Sequence, residues 1–106
     1  MLRSGMAFNF AFIFITADAD ALKHRSVVET PTVKCTTVAV KNYAEAERVA
    51  KQLLAEGVQA FELCGGFGHV GTARIAQAVT GKALVGSVRF DTHPHLGGQS
   101  GDFRFG

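Results

Sequence analysis

Phe8, Phe10, Phe12 and Phe14 alternate with Asn9, Ala11, Ile13 and Ile15. A period of two puts the aromatics on one face of a strand. The second set is mostly apolar as well, so the pattern predicts a strand over Ala7–Thr16 that is buried on both faces. The same region also has the order of a signal peptide: Arg3, the apolar Met6–Ile15, then small residues at Ala17 and Ala19. A signal core has no reason to alternate, so the strand is preferred and a cytoplasmic protein is expected. Residues 1–5 read as a leader or expression remnant, with Met6 as a start and 6–106 as a single domain.

Further along, Asp18 or Asp20 can cap a helix. Ala21, Leu22, Arg25 and Val28 share a helical face, and Pro31 ends the segment, which predicts a short helix over Asp18–Thr30. The β-branched Val33–Val40 reads as a second strand. Asn42 with Glu45 forms a capping box, and Ala46, Val49, Ala50 and Leu53 give the apolar stripe of a helix. Glu47 and Lys51 stand at i, i+4 on its wet side, and Gly57 is placed to end it. Val58–Cys64 is a third strand, followed by Gly65-Gly66-Phe67-Gly68. A helix over His69–Val79 carries the stripe Ala73, Ala76 and Val79, with Gly81 as its stop. Ala83–Phe90 is a fourth strand. In the glycine-rich tail, Phe103 and Phe105 are too apolar to remain in water, so they should fold onto the body or a second subunit.

Strands alternating with helices predict an α/β protein with a short open parallel sheet. Right-handed crossovers and a central first strand give the order 2-1-3-4. The first helix should lie on one face and the other two opposite, as in a truncated flavodoxin-like or Rossmann-like fold. Three helices cover two faces of four strands poorly. A homo-oligomer that buries an edge or a face is therefore expected.

Composition narrows the function. The chain has 106 residues, 47% of them hydrophobic and 19% charged; the usual charged share is about 25%, so a disordered chain is excluded. A net charge of +2 is far from the basic excess of a nucleic-acid binder. Cys35 and Cys64 make neither a disulfide framework nor a zinc ribbon. No run approaches about 18 apolar residues, so no membrane span is expected.

In an open parallel sheet, ligands bind at the rim where the strands end. That rim receives Thr16, Cys64 to His69, and Asp91 to His95. Glu62 stands in an otherwise apolar strand; a buried carboxylate is costly to charge, which suits a general acid or base. The competing reading is a structural pair with Arg89. Cys64, beside a helix N-terminus, suits a nucleophile with His69 as base, or else is a small buried hydrophobe. Gly65, Gly66 and Gly68 before a helix can cradle an anion on backbone N–H groups, or merely make a turn that needs positive φ. The loop is neither a Walker A nor a dinucleotide fingerprint, so no organic cofactor is expected. Pro94 favours an extended His93, and an extended Asp91, His93 and His95 would point to one side. That set can hold a metal, with His69 as a further candidate ligand, or serve hydrogen bonding and proton transfer. Gly97–Asp102 could close as a lid.

Phe12-Ile13-Phe14, His24-Arg25, Glu62-Leu63-Cys64-Gly65-Gly66-Phe67-Gly68-His69, Val88-Arg89-Phe90-Asp91, His93-Pro94 and Leu96-Gly97-Gly98 together resemble a family of small, mainly bacterial proteins carried as a domain of unknown function. The likeness runs from Met6 through nearly the whole chain. It implies a standalone α/β protein and carries over no activity.

The leading functional expectation is an acid/base site for a small anionic or carbonyl metabolite, with isomerase or lyase chemistry. Glu62, His69 or His93 would move protons, and Arg89 with Asp91 would orient them. The alternatives are a non-catalytic metabolite sensor using the same glycine loop, and a metal site on Asp91, His93 and His95.

Overall fold

The phenylalanine repeat forms the central strand of a five-stranded sheet in the computed structural model, which describes residues 7–106. The leader expected over 1–5 lies outside the described residues. The strands are β1 (Phe8–Ile15), β2 (Arg25–Glu29), β3 (Val33–Val40), β4 (Ala60–Leu63) and β5 (Leu84–Ser87). Their order is β2-β3-β1-β4-β5. β3, β1, β4 and β5 are mutually parallel and follow the expected sequence across the sheet. The expected strands over Val58–Cys64 and Ala83–Phe90 are shorter than predicted.

β2 is the departure. The predicted helix over Asp18–Thr30 does not form, and its second half is an edge strand antiparallel to β3. The capping signal is real but holds a single turn: the Asp20 carboxylate accepts from the Leu22 N–H at 2.9 Å, and the Asp20 carbonyl accepts from His24. Val27 and Val28 are β-branched and pair readily beside β3. Pro31 does not stop a helix; it sits in the hairpin turn closed by Thr30 N–H donating to the Val33 carbonyl.

Two longer helices form where the sequence reading put them, but the stripe expected for the second is corrected: Ala73 and Ala76 are exposed, and Gly71, Ile75 and Val79 are the buried positions. α1 (Tyr43–Ala55) is capped by Asn42, whose side chain accepts from the Glu45 N–H at 2.9 Å, and Glu45 accepts in return from the Lys41 N–H. Gly57, at φ +99°, follows its end in the left-handed region that favours glycine. α2 spans His69–Ala78. Glu47 does not pair with Lys51 as expected; it receives a two-pronged contact from Arg74 of α2 at 3.1 and 3.3 Å. The tail is ordered into a 3-10 turn at Pro94–Leu96 and a short helix α3 (Gly101–Phe105).

Losing the first helix changes how the sheet is covered. The crossovers β3-α1-β4 and β4-α2-β5 both step the same way across the sheet, so right-handedness puts α1 and α2 on one face. They pack against each other there. The core lies beneath them: Ala11, Ile13 and Ile15 of β1, Val38 and Val40 of β3, Phe61 and Leu63 of β4, with Tyr43, Leu53 and Ile75 from the helices. The alternate residues of β1 are the phenylalanines. They do not belong to that core; Phe8, Phe10 and Phe12 are half-buried and Phe14 is exposed. The expectations of helices on both faces and of a first strand buried on both faces are thus corrected, and one cause explains both. Between β1 and β3 the chain runs through β2 and its hairpin into β3, where a crossover helix would have covered the second face.

Candidate functional site

The rim at the strand ends is covered by the chain's own tail. Asp102, on α3, accepts from the Val70 and Gly71 N–H groups at 3.1 Å each, and from the Tyr43 hydroxyl at 2.8 Å. The same hydroxyl accepts from the Gly68 N–H at 3.0 Å. Free N–H groups at a helix start, with the helix dipole behind them, attract an anion. Here the chain supplies one. Burial would raise the Asp102 carboxyl, but hydrogen bonds from Tyr43, Val70 and Gly71, with His69 nearby, outweigh it and hold the group below the usual carboxylate range. Burial pushes the Tyr43 phenol well above its ordinary value.

The glycine turn is built for contact distance. Among the described residues, Gly57, Gly81, Gly97 and Gly98 have positive φ; Gly65, Gly66 and Gly68 do not. The positive-φ reading of that turn is corrected. Instead, a Cβ at Gly65 would meet the Phe90 ring, one at Gly66 the Ile15 side chain, and one at Gly68 the Asp102 carboxylate. Each glycine is needed because something packs directly on it.

Two hollows flank this turn. The larger, about 520 Å³, is lined by His69, Thr72, Ser87, Arg89, Asp91 and Phe103, among others. On its wall, Arg89 Nε donates to Asp91 Oδ1 at 3.0 Å, Arg89 Nη2 lies 3.3 Å from His69 Nε2, and His69 Nε2 lies 3.4 Å from Asp91 Oδ1. The three side chains are roughly two-thirds exposed, at 63–69%. The smaller hollow, about 280 Å³, takes in Thr16, Asp18, Cys64, Gly66, His93 and His95.

The expected site residues therefore divide. His69, Arg89, Asp91 and Gly68 meet in the larger hollow. Thr16, Cys64, Gly66 and His93 line the smaller one. Gly65 lies beneath Phe90 between them. Cys64 Sγ accepts from the Gly66 N–H at 3.3 Å, a local turn contact, and not from His69. His93 Nδ1 accepts from the His95 N–H at 3.1 Å, and its ring leans on Phe90 with centroids 4.8 Å apart. Among the described residues, no three His, Cys, Asp or Glu side chains converge as a metal would require; Asp91 turns towards Arg89, away from His93 and His95.

Glu62 corrects a specific expectation. It is exposed, and Arg89 pairs with Asp91 instead. Glu62 points out of the bare sheet face beside Phe12, with which it is in register. Arg89 lies beyond the end of β5, so the inward alternation assumed for it does not apply. Sequence reasoning missed Tyr43 and Asp102. One signal was available: Tyr43 is the single tyrosine of the chain and directly follows a helix cap. Nothing local in the sequence joins it to a residue 59 positions later.

The model of a family of unknown function, DUF6506, matches residues 8–103. No curated protein and no solved structure matches the chain.

Proposed function

The chain belongs to the DUF6506 family, and we propose that its larger rim hollow binds a small carboxylate or carbonyl metabolite and moves a proton on it. The observation that carries this reading is the His69–Arg89–Asp91 cluster, with all three heavy-atom separations at 3.0–3.4 Å on one wall. Arg89 can only donate, so it bonds His69 Nε2 when that nitrogen bears a lone pair. Asp91 can accept from the same nitrogen only when it is protonated. The cluster thus has a good hydrogen-bond arrangement for His69 in either state, a property suited to general acid–base work. A ligand carboxylate competes for the outward prongs of Arg89, and the hydroxyls of Thr72 and Ser87 lie on the same hollow. Anion binding falls to Arg89 because Asp102 already occupies the donors at the start of α2.

One specific observation favours a second reading, a binding module without turnover: the cluster is mostly exposed, and water is not excluded from it. The test is a titration of ¹⁵N-labelled protein with acetate, pyruvate and malonate, followed by deuterium exchange into the methyl group of pyruvate. Catalysis predicts shifts centred on Ser87 and His69, loss of binding in Arg89→Ala, and exchange that disappears in His69→Gln with binding kept. Shifts without exchange would establish the sensor reading. No shifts with any of the three probes at tens of millimolar would end both.

A further inference from the structure

The second face of the sheet is the strongest unassigned feature of the molecule. Register fixes what it presents. Phe8, Phe10, Phe12 and Phe14 run up its centre on β1, with Phe8 stacked on Phe10 and Phe12 on Phe14 at 5.6 and 6.5 Å. Level with Phe10 lie Cys35 and then Val28 on one side, Ala60 and then Leu84 on the other. Level with Phe12 lie Thr37 and Ser26 on one side, Glu62 and Gly86 on the other. Among the described strand residues pointing this way, Glu62 alone is charged. Val28 is 64% exposed and Leu84 is 79% exposed, at opposite edges of the sheet.

We propose that this face binds the same face of a second copy of the chain, about a two-fold axis running along β1. Three features select a second copy. β1 is the middle strand, with two strands on each side. Sheets packed face to face keep their strands within about 30° of each other. A two-fold along β1 therefore lays β4 over β3 and β5 over β2 of the other copy, with the phenylalanine rows meeting at the centre. The side chains match under that operation: Leu84 lies over Val28, Ala60 over Cys35, and the Glu62 carboxylate over the Thr37 hydroxyl, a donor for the one charge. The area also suffices. Strands about 4.8 Å apart rising about 3.3 Å per residue give this sheet a flat footprint of roughly 450 Å². Side-chain relief enlarges that, so two copies bury on the order of 1,000 Å² or more, the threshold for a specific interface.

Light scattering on a sizing column reads the mass directly. At tens of micromolar, the wild type should run at twice the chain mass of 11.3 kDa. Phe12→Asp should weaken association by about 100-fold or more, by setting two carboxylates in the dry centre. The decisive pair uses the exposed edges, where folding is not at stake. Val28→Glu with Leu84→Glu should give monomers, and Val28→Glu with Leu84→Lys should restore dimers. These positions lie on opposite edges of one sheet, so a charge-swap rescue can only act between copies. Far-UV circular dichroism checks that each variant is folded. A monomeric wild type would overturn the proposal, as would dimers that survive the double glutamate. So would a monomer that sediments with phosphatidylglycerol vesicles, which would assign the face to a lipid surface.

Discussion

Asp102→Ala offers the sharpest test of how the tail is held. The carboxylate takes three hydrogen bonds, from Tyr43, Val70 and Gly71. Removing it leaves the first turn of α2 without its acceptor, a loss of about 1 kcal/mol. It also strands the hydroxyl of a fully buried tyrosine, which costs about 1–3 kcal/mol. Together these give about 2–4 kcal/mol, a large part of the stability of a domain this size. At about 4–8 °C per kcal/mol the melting temperature should fall by about 8–32 °C. Asp102→Asn keeps an acceptor oxygen and loses the charge opposite the helix dipole, so it should cost only about 1 kcal/mol. Because the folded carboxyl sits below its usual range, its contribution is fully present above the unfolded value near about 4 and is lost as pH falls through the folded value. The gap between wild type and Asp102→Asn should therefore be widest at neutral pH and shrink as pH falls below the ordinary carboxylate range. Thermal unfolding followed by circular dichroism across that range is the assay. An alanine variant that melts within 2 °C of wild type would show that Asp102 does not hold the tail, and the internal-anion argument would fail with it.

Other consequences follow from packing. A Cβ on Gly71 would collide with the Tyr43 ring, so Gly71→Ala should cost at least about 1–3 kcal/mol by overpacking, read from urea midpoints. Phe105→Ala removes a buried ring and should cost about 3–5 kcal/mol, whereas Phe103→Ala, at a position 79% exposed, should change stability by less than about 0.5 kcal/mol. Equal effects would refute the assignment of Phe105 to the core. The Arg74 guanidinium holds the Glu47 carboxyl below its usual range, but the pair is about one-third exposed, so Glu47→Gln should cost only about 0.5 kcal/mol at neutral pH. That difference should vanish as acid protonates Glu47.

The elements that were legible in the sequence are those whose signals are local. β1 shows in its alternation, β3 in its β-branched run, and α1 in its cap, stripe and terminal glycine. The parallel order followed from right-handed crossovers, which is a property of the chain's chirality. Asp18–Thr30 was misread because a one-turn cap and a short apolar stripe fit a helix and a turn-plus-strand alike; pairing with β3 decided between them. That choice left the second sheet face bare, and it put Glu62 in the open when its apolar neighbours suggested burial. The candidate site was legible in part. His69 and Asp91 stand at the rim where they were expected, because a parallel sheet gathers its strand ends there, whereas Arg89 was expected to point inward from the fourth strand and instead joins them beyond its end.

What the sequence determined alone was the α/β class, the central place of the phenylalanine strand and the rim to which polar residues are delivered. These rest on periodicity, capping and handedness, which act within a few residues or through chain chirality. Only the tertiary structure decided which side chains meet. Tyr43, Gly68 and Asp102 converge across long stretches of chain, and a hairpin stands where a helix could have been. Such contacts depend on the summed packing of distant segments, and no single stretch of the chain encodes them.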